Sequence, residues 1–123
     1  IDEENVLGFL SGNYILIGKK INSKATYAGE IQLKYNEKQK CLDIKRVVSG
    51  VKSEGIATIE YFTSDQIPTL KIKFTEKKVK YEGVFLWRSD LDNFARISGH
   101  IYFADDEFVE DPGLEAYFIK QED

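Results

Sequence analysis

From Tyr27 onward the apolar residues fall at every second position. One phase reads Tyr27, Gly29, Ile31, Leu33 and Tyr35, and the other reads Ala28, Glu30, Gln32 and Lys34. This is the two-residue period of a strand with one dry face and one wet face. It recurs at Leu70, Ile72 and Phe74 against Lys71, Lys73 and Thr75, and again at Val79, Tyr81, Gly83, Phe85 and Trp87. In the runs from Tyr27 and Val79 a glycine shares the phase of the bulky residues, which turns it inward. Similar placements stand at Gly12, Gly55, Gly99 and Gly113. An inward glycine removes a side chain where a strand must bend sharply, and a small closed barrel needs such bends. The glycine spacing is too irregular for a propeller or a solenoid.

Clusters of Asn, Asp, Ser, Gly and Pro separate the runs, as in "NEKQK", "SGVKSEG", "TSDQIP", "RSDLDN" and "ADDEFVEDPG". Such clusters are hairpin-loop material. The pattern predicts strands over 12–19, 25–36, 40–49, 54–63, 69–75, 78–88, 94–103 and 113–120. It predicts one short helical segment, "EENVLGFL", over 3–10. Short connections between consecutive strands make antiparallel neighbours. The expected fold is therefore all-β: an eight-stranded antiparallel up-and-down closed barrel with a short N-terminal helical turn. No linker or composition shift divides the chain, so residues 1–123 read as one domain. A two-sheet sandwich also accommodates eight strands, but it needs longer crossovers.

Charge narrows the choice of partners. The net charge is -4, so a nucleic-acid partner, which requires clustered Lys and Arg, is not expected. The lysines of "KIKFTEKKVKYEG" alternate with apolar residues and read as the wet face of two strands. No apolar run approaches the roughly 20 residues of a membrane-spanning helix, and an integral membrane protein is not expected. The single cysteine, Cys41, excludes an intrachain disulfide. A chain that begins at Ile1 and lacks methionine reads as a processed or trimmed product. A secreted or periplasmic location is favoured over a cytoplasmic one on that basis.

The short helical turn, "SGNY" opening the first strand, and the eight-strand meander together resemble the calycin superfamily of lipocalins, fatty-acid-binding proteins and avidins. In lipocalins and avidins the first strand opens with Gly-x-Trp, whose aromatic plugs one barrel end. Gly12-Asn13-Tyr14 occupies that place here, with Tyr for Trp. The resemblance implies a basic residue packed over this aromatic, and Lys120 in "AYFIK" is positioned for that role. "YAGEIQLKY" and "SEGIATIEY" look most like avidin-type barrels. Avidins surround biotin with several tryptophans and this chain has only Trp87, so biotin is not expected.

Candidate chemistry follows from the phases. Tyr14, Tyr61, Tyr81, Phe85 and Trp87 fall in the inward phase. They would either line a ligand site, where Tyr and Trp bring a polar tip to an apolar wall, or fill the barrel. Arg96, Ser98, His100 and Tyr102 share one face of one strand. Turned inward, that row would read a polar group, with Arg96 gripping a carboxylate. The opposite row of Ala95, Ile97, Gly99, Ile101 and Phe103 is apolar and carries the glycine, which places the polar row outside. His100 is the lone histidine and gives no metal site. Asp105, Asp106, Glu107, Glu110 and Asp111 could gather around Ca²⁺, but they lack the spacing of a helical calcium loop. They read instead as a solvated hairpin, with Phe108 as a lid or a partner contact.

No nucleophile elbow, phosphate loop or dinucleotide fingerprint occurs, so neither an enzyme nor a cofactor is expected. The first functional expectation is a non-enzymatic binding protein that holds a small apolar or amphipathic ligand in its lumen. The alternative is an interaction, inhibitor or homo-oligomeric barrel with a filled lumen. In that case the outward-phase residues Ile56, Phe62, Val84 and Leu86 would form an apolar contact face.

Overall fold

The structure, a computed structural model, describes residues 2–62, 64, 66–88, 95–105 and 110–120. One helix, α1 (Glu3–Leu10), precedes eight strands: β1 (Gly12–Lys19), β2 (Thr26–Asn36), β3 (Cys41–Val48), β4 (Val51–Phe62), β5 (Ile67–Glu76), β6 (Val79–Trp87), β7 (Ile97–Phe103) and β8 (Gly113–Ile119). Each strand pairs with the next, antiparallel. β1 closes on β8 from Tyr14 opposite Ile119 to Lys19 opposite Leu114. The eight-stranded up-and-down closed barrel expected from the alternation is therefore the fold. No described helix is long and apolar enough to cross a membrane.

At two of the inward glycines the neighbouring strand comes too close for a side chain. At Gly55 a Cβ would collide with the Lys73 carbonyl oxygen, and at Gly99 with that of Val84. In both places the neighbouring backbone occupies the position a side chain would take, so only glycine permits the approach.

Strand limits differ from expectation most at β4. "SGVKSEG" reads as a loop, yet β4 begins at Val51. Ser49 and Gly50 have φ of 51° and 78°, so two left-handed residues make the whole turn. Lys77 and Lys78 build the β5–β6 turn in the same way, with φ of 50° and 68°.

The two barrel ends are unlike. Asp2 caps α1 by accepting the Asn5 amide, and α1 lays Leu7 and Leu10 across one end. Burying those two leucines contributes at most about 3–6 kcal/mol. Tyr14 lies beneath them and donates its hydroxyl to the Leu10 carbonyl at 2.6 Å. Leu16, Ile31, Leu33, Leu42, Ile44, Ala57, Leu70, Ile72, Phe85, Ile97 and Tyr117 complete this packed half. The other end carries the turns after β1, β3 and β5, and among the described residues no helix lies over it.

Candidate functional site

The packed half stops at a buried ion pair. Arg46 shares the inward phase of β3 with Ile44 and Val48, and Glu115 shares that of β8 with Gly113 and Tyr117. Their side chains are 2% and 0% exposed. The Arg46 Nη1 and Nη2 groups donate to Glu115 Oε1 and Oε2 at 2.6 and 2.7 Å, a fork-to-fork pairing. Tyr27 donates to Oε2 at 2.6 Å and Tyr117 to Oε1 at 2.9 Å. Phe74 places its ring 3.8 Å from the guanidinium carbon.

Tyr27 reaches this centre because it pairs with Gly18, where any side chain would collide with its ring. Burial raises the Tyr27 and Tyr117 pKa values, and the Glu115 charge raises them further. Both hydroxyls therefore stay protonated and donate. Burial alone would lower the Arg46 pKa, but Glu115 outweighs it and holds the value above the ordinary one. Glu115 thus receives four hydrogen bonds. Of the Arg46 nitrogens only Nε has no partner; it is buried, as is the unpartnered Ser53 Oγ directly across the β3–β4 ladder.

A cavity of about 340 Å³ lies above this floor and opens at the helix-free end. Tyr27, Val48, Phe74, Tyr81, Ile101 and Phe103 wall it, with Arg46 at the base. Phe74, Tyr81 and Phe103 form a continuous aromatic side, with centroids 5.1 and 5.5 Å apart. Lys20, Glu76 and Lys77 stand at the mouth. Beside it Lys19 pairs with Asp111 at 3.1 Å.

The lumen candidates separate between the two halves. Tyr81 lines the cavity. Tyr14 and Phe85 are buried in the packed half, and Trp87, half-buried, packs against it. Tyr61 lies at the helix-side rim, 43% exposed, and donates to Glu3. Lys120 does not cover Tyr14. It points outward and pairs with Glu30 at 2.9 Å, because residue 120 has the phase opposite to Glu115 and Tyr117. Arg96, expected on the outer face with Ser98 and His100, is instead buried. It precedes β7, is buried beside Tyr14, and stacks over Phe9 at 4.4 Å. Ser98 and His100 face outward, while Ile97 and Ile101 face in.

Arg46, Glu115 and Gly18 were not singled out from the sequence, and Tyr27 stands there only as the start of an inward row, not as a site residue. Arg46 and Glu115 did carry a signal: each puts a charge into the apolar phase of its strand, and the two charges are opposite. Cys41 is buried, and burial followed by Asp43 raises its thiol pKa. Among the described residues no group of three or more metal-ligating side chains occurs. Asp106, Glu107 and Phe108 of the acidic loop lie outside the described residues.

The outer wall carries a second concavity, of about 780 Å³, across β1, β8, β7, β6 and the facing ends of β4 and β5. Its floor is small because Ala116 pairs with Ser98. Ile17, Leu114, Val84, Leu86, Phe62 and Ile67 rise around it. Phe62 and Leu86 are 59% and 57% exposed. Comparison with protein-family models, curated proteins and solved structures found no match for the chain.

Proposed function

We propose that this chain is a non-enzymatic binding barrel of the calycin type that holds a small amphipathic molecule in the open half of its lumen. The observation that carries this reading is the half-filled interior. Packing ends at the Arg46–Glu115 pair, and beyond it lies a cavity of about 340 Å³ with an aromatic wall and a polar base. Specific small-molecule sites have this composition: an apolar wall and a few fixed polar groups, in a volume of at least about 300 Å³. The up-and-down order, the helix over one end, and Tyr14 buried there beside Arg96 support the calycin kinship.

Ligand-observed NMR against a panel of small aryl and alkyl amphiphiles tests the reading. Binding is expected for some members and should disappear in Val51→Trp, which narrows the mouth. A panel without a single binder, or binding unaffected by Val51→Trp, overturns it.

The outer concavity favours a second reading, association with another protein through the β1–β8–β7–β6 face. Contiguous exposed apolar surface of this kind marks interfaces. Leu86→Glu should then abolish a complex seen by light scattering while leaving lumen binding intact.

A further inference from the structure

The lumen reading above leaves the chemistry of the ligand open, and the following inference rests on it. We propose that the cavity takes a compact molecule with a neutral hydrogen-bond acceptor at its deep end, an apolar or aromatic body, and an anionic group at the mouth.

The deep end is set by how Arg46 is already used. A buried arginine at a cavity base would ordinarily point to a carboxylate ligand. Here both terminal nitrogens are engaged with Glu115 at 2.6 and 2.7 Å. A carboxylate from the ligand could take the Nη1–Nη2 fork only by displacing Glu115, and beside that fork it would face the Glu115 charge. Displacement would leave the Glu115 charge buried with two tyrosine hydroxyls as its remaining partners. What Arg46 still offers is its partnerless Nε–H and the second hydrogen of each terminal nitrogen, set beside a carboxylate that already balances its charge. N–H donors on a charge already neutralised suit a carbonyl or amide oxygen, not a second anion.

The middle is set by Phe74, Tyr81 and Phe103, whose stacked and tilted rings form a face for a flat apolar group. The mouth is set by charge. Among the described residues lining it, Lys20 and Lys77 outnumber Glu76, while Lys19 and Asp111 neutralise each other. The volume, about eleven water volumes at about 30 Å³ each, limits the molecule to one ring with a short tail.

Three matched probes test this by isothermal titration: para-carbamoyl-phenylpropanoate, the para-carboxy analogue, and para-carbamoyl-phenylpropylamine. The first carries the proposed pattern. The second replaces the deep amide by an isosteric carboxylate. The third reverses the charge at the mouth. The amide-carboxylate is expected to bind at least tenfold tighter than either analogue. In Glu115→Gln the Arg46 charge is released, and the order of the first two probes should invert. Because that variant also perturbs the core, Lys20→Gln/Lys77→Gln supplies an independent arm. These two lysines are exposed, and their loss should remove the preference for the anionic tail over the amine. Equal or tighter binding of the dicarboxylate to the unaltered protein overturns the inference but leaves a lumen site standing. Binding of none of the three overturns the inference, and an empty result across the wider panel overturns the lumen reading itself.

Discussion

Removing one member of the Arg46–Glu115 pair should cost far more than removing both. Arg46→Met leaves a carboxylate whose side chain is fully buried, with Tyr27 and Tyr117 its remaining donors. Glu115→Gln leaves a guanidinium whose side chain is 2% exposed and faces no countercharge. Breaking a buried pair from one side costs about 3–5 kcal/mol, because the orphaned ion stays desolvated. The double variant Arg46→Met/Glu115→Gln has no buried charge; its Gln carbonyl can accept from one tyrosine while its NH2 donates to the hydroxyl oxygen of the other. It should lie within about 2 kcal/mol of the unaltered protein. Were the single costs additive, the double would lose about 6–10 kcal/mol, so the cycle should show a coupling of at least about 4 kcal/mol. Urea unfolding measures it. With a slope of about 1.5 kcal/mol/M, a loss of about 4 kcal/mol moves the midpoint by about 2.7 M. Single variants within about 1 kcal/mol of the parent, or additive losses in the double, would refute the reasoning and show water reaching the pair.

Alkaline pH should destabilise the fold. The Tyr27 and Tyr117 pKa values are raised by burial and by Glu115, so their contribution is complete below about pH 10, where unfolded tyrosine ionises. Above that pH the unfolded chain sheds protons that the barrel retains, and stability falls by up to about 1.4 kcal/mol per pH unit for each tyrosine. Absorbance near 295 nm should show these two ionising only on unfolding. Lys78→Gly, which relieves a left-handed lysine in the β5–β6 turn, should stabilise by about 1 kcal/mol and raise Tm by about 4 °C. Gly55→Ala should cost about 1–3 kcal/mol in denaturant melts, since the new Cβ meets the Lys73 carbonyl oxygen. Gly18→Ala should push Tyr27 off Glu115, seen as a shifted tyrosine hydroxyl titration at near-parent stability of the packed half.

The architecture was legible because alternation, glycine phase and turn clusters all report on the same physical requirement, a tightly coiled sheet with one dry face. α1 matched "EENVLGFL" for a similar reason: Asp2 caps it, and Leu7 and Leu10 fall three apart on one side. The site was much less legible. Phase shows that Tyr14, Tyr81, Phe85 and Trp87 point inward, but it does not show at which end of the barrel each lies. That depends on register: Trp87 pairs with Ile97 near the helix, and Tyr81 pairs with Phe103 near the mouth. Lys120 was misplaced by analogy, since its phase turns it outward to Glu30 while Arg96, from outside any strand, reaches Tyr14. Arg46 and Glu115 are 69 residues apart, and only barrel closure brings them together.

The central claim is that the lumen is packed on the helix side of the ion pair and open to a ligand on the other. A ¹⁵N-resolved titration with para-carbamoyl-phenylpropanoate tests it directly by following two side-chain signals, Arg46 Nε–H and the Trp87 indole N–H. The Arg46 signal should shift with saturation while the Trp87 signal stays in place. A shift at Trp87 with Arg46 unmoved would contradict the account.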